Sequence, residues 1–359
     1  MKNKIDLFPE ELILNGQKTA VRSLLQTRGS GEPWKQEWLD FLREWYATSD
    51  GIEVHTSGST GTPKIIRLKK DFVAASAMRT IRFFRLQPKD RVLHCLPSRY
   101  IAGKLMVVRA LIGKLDLFVC NPSDPEKQLA KTRFRFAAMV PNQVIKLFDR
   151  ADEKFQLDYL LIGGAAIPES LYQRLQGLAT GCYSSYAMTE TATHIALRRL
   201  NGAVADADYH CLSGISVRSA SSGCLRIEMQ GLEQGFLETT DLAEVKDKHT
   251  FRILGRADDI IISGGIKYMP EKIEKKIDPF LSVPFVISSL PHDLLGQQLI
   301  LVLETSEDCF SKEELQQLCR QHLTNYECPR LIYRLNSFPR TTTGKIKRRD
   351  IPSFLSREN

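Results

Sequence analysis

Thr56-Ser57-Gly58-Ser59-Thr60-Gly61-Thr62-Pro63-Lys64 directly follows a short β-like run, Ile52-Glu53-Val54-His55, and its reading decides the fold. Glycine lets a backbone curl until several N–H groups point inward, and the hydroxyls and the lysine add donors, so the natural occupant is a phosphate chain. The stretch is not a Walker A loop, which needs Gly immediately before Lys and then Ser or Thr. Here Pro63 precedes Lys64, and the β-branched pair Ile65-Ile66 follows where a P-loop would open a helix. Taken alone, the stretch also reads as a Ser/Thr/Gly-rich surface hairpin.

Further segments downstream turn the loop into a candidate site. Ile162-Gly163-Gly164-Ala165-Ala166-Ile167-Pro168 follows the apolar run Tyr159-Leu160-Leu161, and Tyr186-Ala187-Met188-Thr189-Glu190 comes next. Then come Thr239-Thr240-Asp241-Leu242, Gly255-Arg256-Ala257-Asp258-Asp259 with Ser263-Gly264-Gly265, and Pro339-Arg340-Thr341-Thr342-Thr343-Gly344-Lys345-Ile346. In this order the segments resemble the acyl-adenylate-forming superfamily of acyl-CoA synthetases, luciferases and carrier-loading adenylation domains. The resemblance runs from about Ile52 to Asp350.

The resemblance implies a two-step reaction: a carboxylate attacks the α-phosphorus of ATP and releases pyrophosphate, then CoA displaces AMP from the acyl-adenylate. Phosphoryl-type transfer is mostly positioning and charge neutralisation. By the resemblance, Lys345 is the cation between α-phosphate and carboxylate, and the Thr56, Ser57, Gly58, Ser59, Thr60, Gly61 and Lys64 loop cradles the phosphates. Thr189 contacts them and Glu190 holds Mg²⁺, a hard cation that prefers oxygen ligands. Asp241 and Arg256 grip the ribose, while Tyr186, Gly164 and Ala165 enclose adenine. Asp258 stands at a hinge, and Ser263, Gly264 and Gly265 line a pantetheine tunnel. Each residue also has a plainer reading: surface lysine for Lys345, helix-start acid for Glu190, turn residues for Asp241 and the Ser263 segment, core aromatic for Tyr186.

Two departures bear on the nucleotide loops. Ala187 and Thr240 stand where the family usually has glycine, adding bulk where the backbone is normally bare. The phosphate loop also begins only at Thr56, so the chain is expected to be a compact version lacking most of the family's N-terminal subdomain.

The acid pocket resembles a branch of the family, the o-succinylbenzoate–CoA ligases of menaquinone biosynthesis. Carrying this are Pro97-Ser98-Arg99-Tyr100-Ile101-Ala102-Gly103-Lys104-Leu105-Met106-Val107-Val108-Arg109, Met139-Val140-Pro141-Asn142-Gln143, Ser213-Gly214-Ile215 and Gly223-Cys224-Leu225. Tyr100 replaces the branch's usual histidine. A substrate with two carboxylates needs a cation besides Lys345, and Lys104 and Arg109 are the candidates, with Gly163, Ala187 and His194 as further pocket residues. Lys104 and Arg109 read equally well as helix-face charges. The alternatives are another aryl- or acyl-CoA ligase, or an adenylation enzyme that loads a carrier protein.

Length and composition agree. The chain has 359 residues, 43% of them hydrophobic, enough for two cores. Eight cysteines without a C-x-x-C pair speak against metal or disulfide frameworks and for a reducing cytoplasm. Charges near the start (Lys2, Lys4, Asp6, Glu10, Glu11) argue against a secretory signal, and no window approaches a membrane span. The net charge of +8 suits anionic ligands, while the aromatic-and-basic pattern of a nucleic-acid reader is missing. A homodimer is compatible with the reading.

The fold expected is α/β. Residues 35–48 predict an amphipathic helix, and from 70 to 200 helical patterns alternate with apolar runs at Val92–Leu96, Leu115–Val119 and Phe136–Val140, implying much parallel sheet. A small β subdomain begins near 203. The N-terminal AMP-binding domain is drawn at 1–255 and a mobile α+β C-terminal domain at 256–359, with a helix near 270–281, strands near 284–290 and 299–304, and a helix near 311–323.

Overall fold

Alternating apolar runs and turn residues become alternating strands and helices in the computed structural model, which describes residues 5–27, 31–55, 65–150, 155–306, 310–341 and 346–358. The 56–64 loop and Lys345 lie outside the described residues. Two units are distinguished, one made of Met1–Ile167, Leu171–Ile215 and Met229–Gly235, the other of Pro168–Ser170, Ser216–Glu228 and Phe236–Asn359.

The first unit is built on a sheet in which strands Asp116–Val119, Arg91–His94, Phe134–Met139, Leu157–Ile162 and Gly181–Ala187 run parallel in that spatial order. Antiparallel strands His194–Arg199 and Tyr209–Cys211 extend one side, and Glu11–Leu14 with Gln17–Ala20 extend the other. Helices cover both faces, as a parallel sheet requires. Val144, Leu147 and Phe148 of helix Pro141–Arg150, with Leu171 and Leu175, pack on Leu93, Leu160 and Ile162. Helices Lys70–Phe83 and Ile101–Gly113 pack together elsewhere in the unit. The helix expected over 35–48 is Pro33–Tyr46, with proline in its first turn and Trp38, Phe41, Leu42 and Trp45 buried. Strands Gly51–His55 and Ile65–Lys69 form a hairpin in the register Val54↔Ile66, on either side of residues 56–64.

The second unit contains a β hairpin-rich part, Ile215–Ser219, Cys224–Met229, Phe236–Asp247 and Thr250–Arg256, and an α+β part. In strand Gly296–Glu304 the period of two divides the core cleanly. Leu299, Leu301 and Leu303 face Ile273 and Ile277 of helix Pro270–Ile277 and Leu315 and Cys319 of helix Lys312–His322. Ile300 and Val302 face Phe338, Ile351 and Leu355. Helix Lys312–His322 starts with a capping box: Ser311 Oγ accepts from Glu314 N, and the Glu314 carboxylate accepts from Ser311 N.

Candidate active site

In the first unit, candidate residues gather at the carboxyl ends of the parallel strands, where open α/β sheets bind ligands. Gly163 follows Leu157–Ile162, Tyr186 and Ala187 end Gly181–Ala187, and Tyr100 lies six residues beyond Arg91–His94. Gln143 stitches three of these loops: its amide nitrogen donates to Cys95 O at 2.7 Å and Pro122 O at 2.8 Å, and its amide oxygen accepts from Val140 N at 3.1 Å. The sequence marked Gln143 only as part of a branch-like run, because its partners come from distant loops.

Gly163 has a packing reason to be glycine. A Cβ there would stand 2.2 Å from Ser185 Oγ, while Gly163 N donates to Met139 O at 3.1 Å. Gly164 has φ +89°, a conformation that side chains resist. Gly163→Ala is expected to lower stability by about 2 kcal/mol through overpacking. Ser185→Ala in the same chain should restore most of it, measured by denaturant unfolding; no recovery would place the strain elsewhere.

Tyr186 is buried with its ring 5.9 Å from that of Tyr209. Beyond it, Thr191 holds a tight turn: its Oγ1 donates to Thr193 O at 2.8 Å and accepts from Met188 N, and Ala192 takes φ +63°. The turn presents Thr189 and Glu190, both partly exposed and both without a side-chain partner among the described residues.

Among the candidates for the acid pocket, Lys104, Arg109 and His194 separate sharply. Lys104 is nearly buried, but its ammonium donates to Glu44 Oε2 at 2.6 Å and Glu53 O at 2.7 Å and lies over the Phe41 ring. That charge is spoken for within the fold. Arg109 is 2% exposed, and its Nη1 meets only Met106 Sδ at 3.3 Å, with the guanidinium 5.9 Å from the Phe136 ring. Its Nε has no hydrogen-bond partner, and no carboxylate pairs with it among the described residues. Burial pulls its pKa down to about 9. His194 Nε2 lies 3.1 Å from Thr80 Oγ1, and burial followed by the charges of Arg109 and Arg79 hold the ring well below the usual imidazole range, so it is neutral. His94, which the sequence did not mark, is also buried, with Nε2 3.0 Å from Ser98 Oγ and a pKa lowered to about 4 by burial. Tyr100 caps helix Ile101–Gly113 with the Arg99 guanidinium over its ring. Gly103 is required beside it, because a Cβ would meet Pro97 O at 2.3 Å.

In the second unit, cross-strand pairing places Asp241 opposite Arg256. Arg256 Nη2 donates to Thr240 Oγ1 at 2.6 Å, and the guanidinium lies 3.6 Å from Asp241 and 3.5 Å from Asp258. The bulk at Thr240 is thus put to use as an acceptor. Ser263, Gly264 and Gly265 form the tip of hairpin Ile261–Ser263/Ile266–Tyr268, and φ of +57° and +81° at the two glycines make it a primed turn.

A β hairpin whose strands flank residues 56–64, loops at the carboxyl ends of a parallel sheet and an α+β part are the features of an AMP-forming, adenylate-making enzyme fold. The AMP-binding enzyme family matches residues 53–217. An AMP-forming acyl-CoA synthetase/AMP-acid ligase II-like protein from Dyadobacter fermentans is 33% identical, with a TM-score of 0.61 over 94% of this chain and 99% of that one. The chain therefore belongs to the AMP-forming acyl-CoA synthetase family. The 2-succinylbenzoate–CoA ligase of Listeria monocytogenes serovar 1/2a is 24% identical over 86% of this chain and 71% of its own length. The o-succinylbenzoate CoA synthetase from Bacillus subtilis, solved with ATP and magnesium ion, shares the fold at 20% identity, with a TM-score of 0.72 over 83% of this chain and 68% of that one.

Proposed function

We propose that this chain is an ATP-dependent o-succinylbenzoate–CoA ligase acting in menaquinone biosynthesis. It adenylates one carboxylate of the acid with release of pyrophosphate, then transfers the acyl group to the CoA thiol with release of AMP. One observation carries the choice of acid: Arg109 is a buried guanidinium with no carboxylate partner within the described protein. Such a charge costs several kcal/mol unless an anion joins it. A monocarboxylate spends its only charge on the reacting phosphorus, whereas a dicarboxylate has a second to offer. Similarity to ligases named for 2-succinylbenzoate supports the same acid.

The roles follow from this reading. Thr56, Ser57, Gly58, Ser59, Thr60, Gly61 and Lys64 cradle the phosphates, with Thr189 contacting them. Gly164, Ala165 and Tyr186 enclose adenine, and Asp241 and Arg256 hold the ribose. Lys345 offsets the charge of two approaching anions. Tyr100, Gly163, Ala187 and neutral His194 wall the acid pocket, and Arg109 takes over the recognition role for which Lys104 was the other candidate. Asp258 is the hinge of a mobile C-terminal domain, 256–359, and Ser263, Gly264 and Gly265 admit pantetheine. Magnesium neutralises phosphate charge when bound. Glu190, an oxygen donor with no protein partner among the described residues, would hold it.

No described helix is long and apolar enough to cross a membrane, and the seven described cysteines are free thiols. Both fit a cytoplasmic enzyme, and a homodimer is its proposed assembly. Pyrophosphate release with ATP and a panel of carboxylic acids, with and without CoA, tests the reading. o-Succinylbenzoate should lead the panel and free CoA should support turnover. Preference for a monocarboxylate, or acyl transfer only to a phosphopantetheinyl carrier protein, would overturn it.

A further inference from the structure

We infer that the Arg348–Glu274 ion pair is a positioning device for the adenylating half-reaction, setting the register of the chain that leaves Lys345. The inference rests on the reading of Lys345 as the adenylation cation. Arg348 stands three residues after that lysine, and its side chain and that of Glu274 are each 18% exposed. Arg348 forks onto the Glu274 carboxylate with both terminal nitrogens, Nη2 at 2.9 Å, and Nη1 also donates to Ile287 O. Glu274 Oε1 in turn accepts from Ile287 N at 2.6 Å.

The position of Ile287 explains why an ion pair stands here. Among the described residues, strand Phe285–His292 pairs with a strand on one side only, Gly296–Glu304, so its outer edge has backbone groups outside the ladder. The pair satisfies both outward groups of Ile287 and so acts as a short substitute strand, tying helix Pro270–Ile277 and residues 348–350 to one point on the edge. A buried ion pair is weak evidence for added stability, and its best-attested use is fixing register. The planar fork of arginine suits that use as an ammonium does not.

Both flanks of the segment carrying Lys345 lead to this anchor. Lys347 N donates to Pro339 O at 2.7 Å, and Arg340 bridges Ile346. Glu304 accepts from Phe338 N at 2.6 Å and pairs with Arg340. Phe338 and Ile351 are core residues, so apolar packing holds depth while the Arg348 fork holds the position along the strand edge. Asp258 is tied to the same place, with Arg349 Nη2 donating to Asp258 O at 3.2 Å.

Arg348→Lys and Glu274→Gln in the full chain test the inference, each measured in both half-reactions and in thermal melting, with Lys345→Ala run beside them. A displacement of about 1 Å at a reacting group costs on the order of 100-fold. Pyrophosphate release should therefore lose about 100-fold in kcat, while the KM for ATP and thioester formation from synthetic o-succinylbenzoyl-adenylate and CoA stay within about 3-fold. Glu274→Gln, which keeps the side chain's shape and an acceptor for Ile287 N, decides the matter if Arg348→Lys does not fold. Parallel loss in both half-reactions would make the pair merely structural and overturn the inference. So would adenylation within about 3-fold of the parent in both variants while Lys345→Ala is inactive. Normal adenylation by Lys345→Ala would overturn the reading of the lysine as well.

Discussion

Lys345→Ala should lose pyrophosphate release by about 10³-fold or more and still convert synthetic o-succinylbenzoyl-adenylate plus CoA to thioester near the parent rate. The expectation follows from when the charge is needed. During adenylation a carboxylate approaches the α-phosphate, and two anions must be brought together. A single preorganised donor is worth about 10²–10³-fold in such reactions, and a full positive charge at least as much. Once the adenylate exists, the attacking group is a thiol and no such repulsion remains. Measuring the half-reactions separately is therefore decisive. Equal slowing of both would mean that Lys345 supports the structure, and the two-step assignment of roles would fail.

Arg109→Ala should cost roughly 30- to 4,000-fold in kcat/KM for o-succinylbenzoate while the KM for ATP changes little, because removing one member of a buried charge pair costs on the order of 2–5 kcal/mol. The same variant should narrow the gap between o-succinylbenzoate and benzoate, since benzoate has no second carboxylate to lose. Lys104→Ala is the control. Its ammonium is held by Glu44 and the Glu53 carbonyl, so it should melt earlier without changing the preference among acids. If Lys104→Ala alters the preference and Arg109→Ala does not, the second carboxylate is read by the other cation.

Local sequence carried much of the fold. Short apolar runs located the parallel strands Arg91–His94, Asp116–Val119, Phe134–Met139 and Leu157–Ile162, and a helical pattern located the helix Pro33–Tyr46, within a few residues, because such patterns arise from local backbone geometry. The glycine-bearing segments were legible for the same reason. The paired positive φ values at Gly264 and Gly265 suit a primed turn that few other residues adopt. The family, too, followed from short segments in a fixed order, since a phosphate loop or a hinge is a local device.

What the sequence by itself determined was thus the class of enzyme, the order of its site segments and the two chemically plausible cations of the acid pocket. Only the tertiary structure shows how the surroundings of those cations differ. Lys104 and Arg109 sit on one helix five positions apart, and nothing in their neighbours tells them apart. Lys104 is consumed by Glu44, sixty residues away, while Arg109 is buried without a counter-ion among the described residues. The same holds for Gly163, whose reason is the Ser185 hydroxyl on the next strand, and for Arg348, whose fork closes on Glu274 74 residues earlier. Short-range patterns record which face of an element is apolar. Whether a buried charge finds a partner there depends on which distant helix or strand packs against it, and that is a property of the assembled fold.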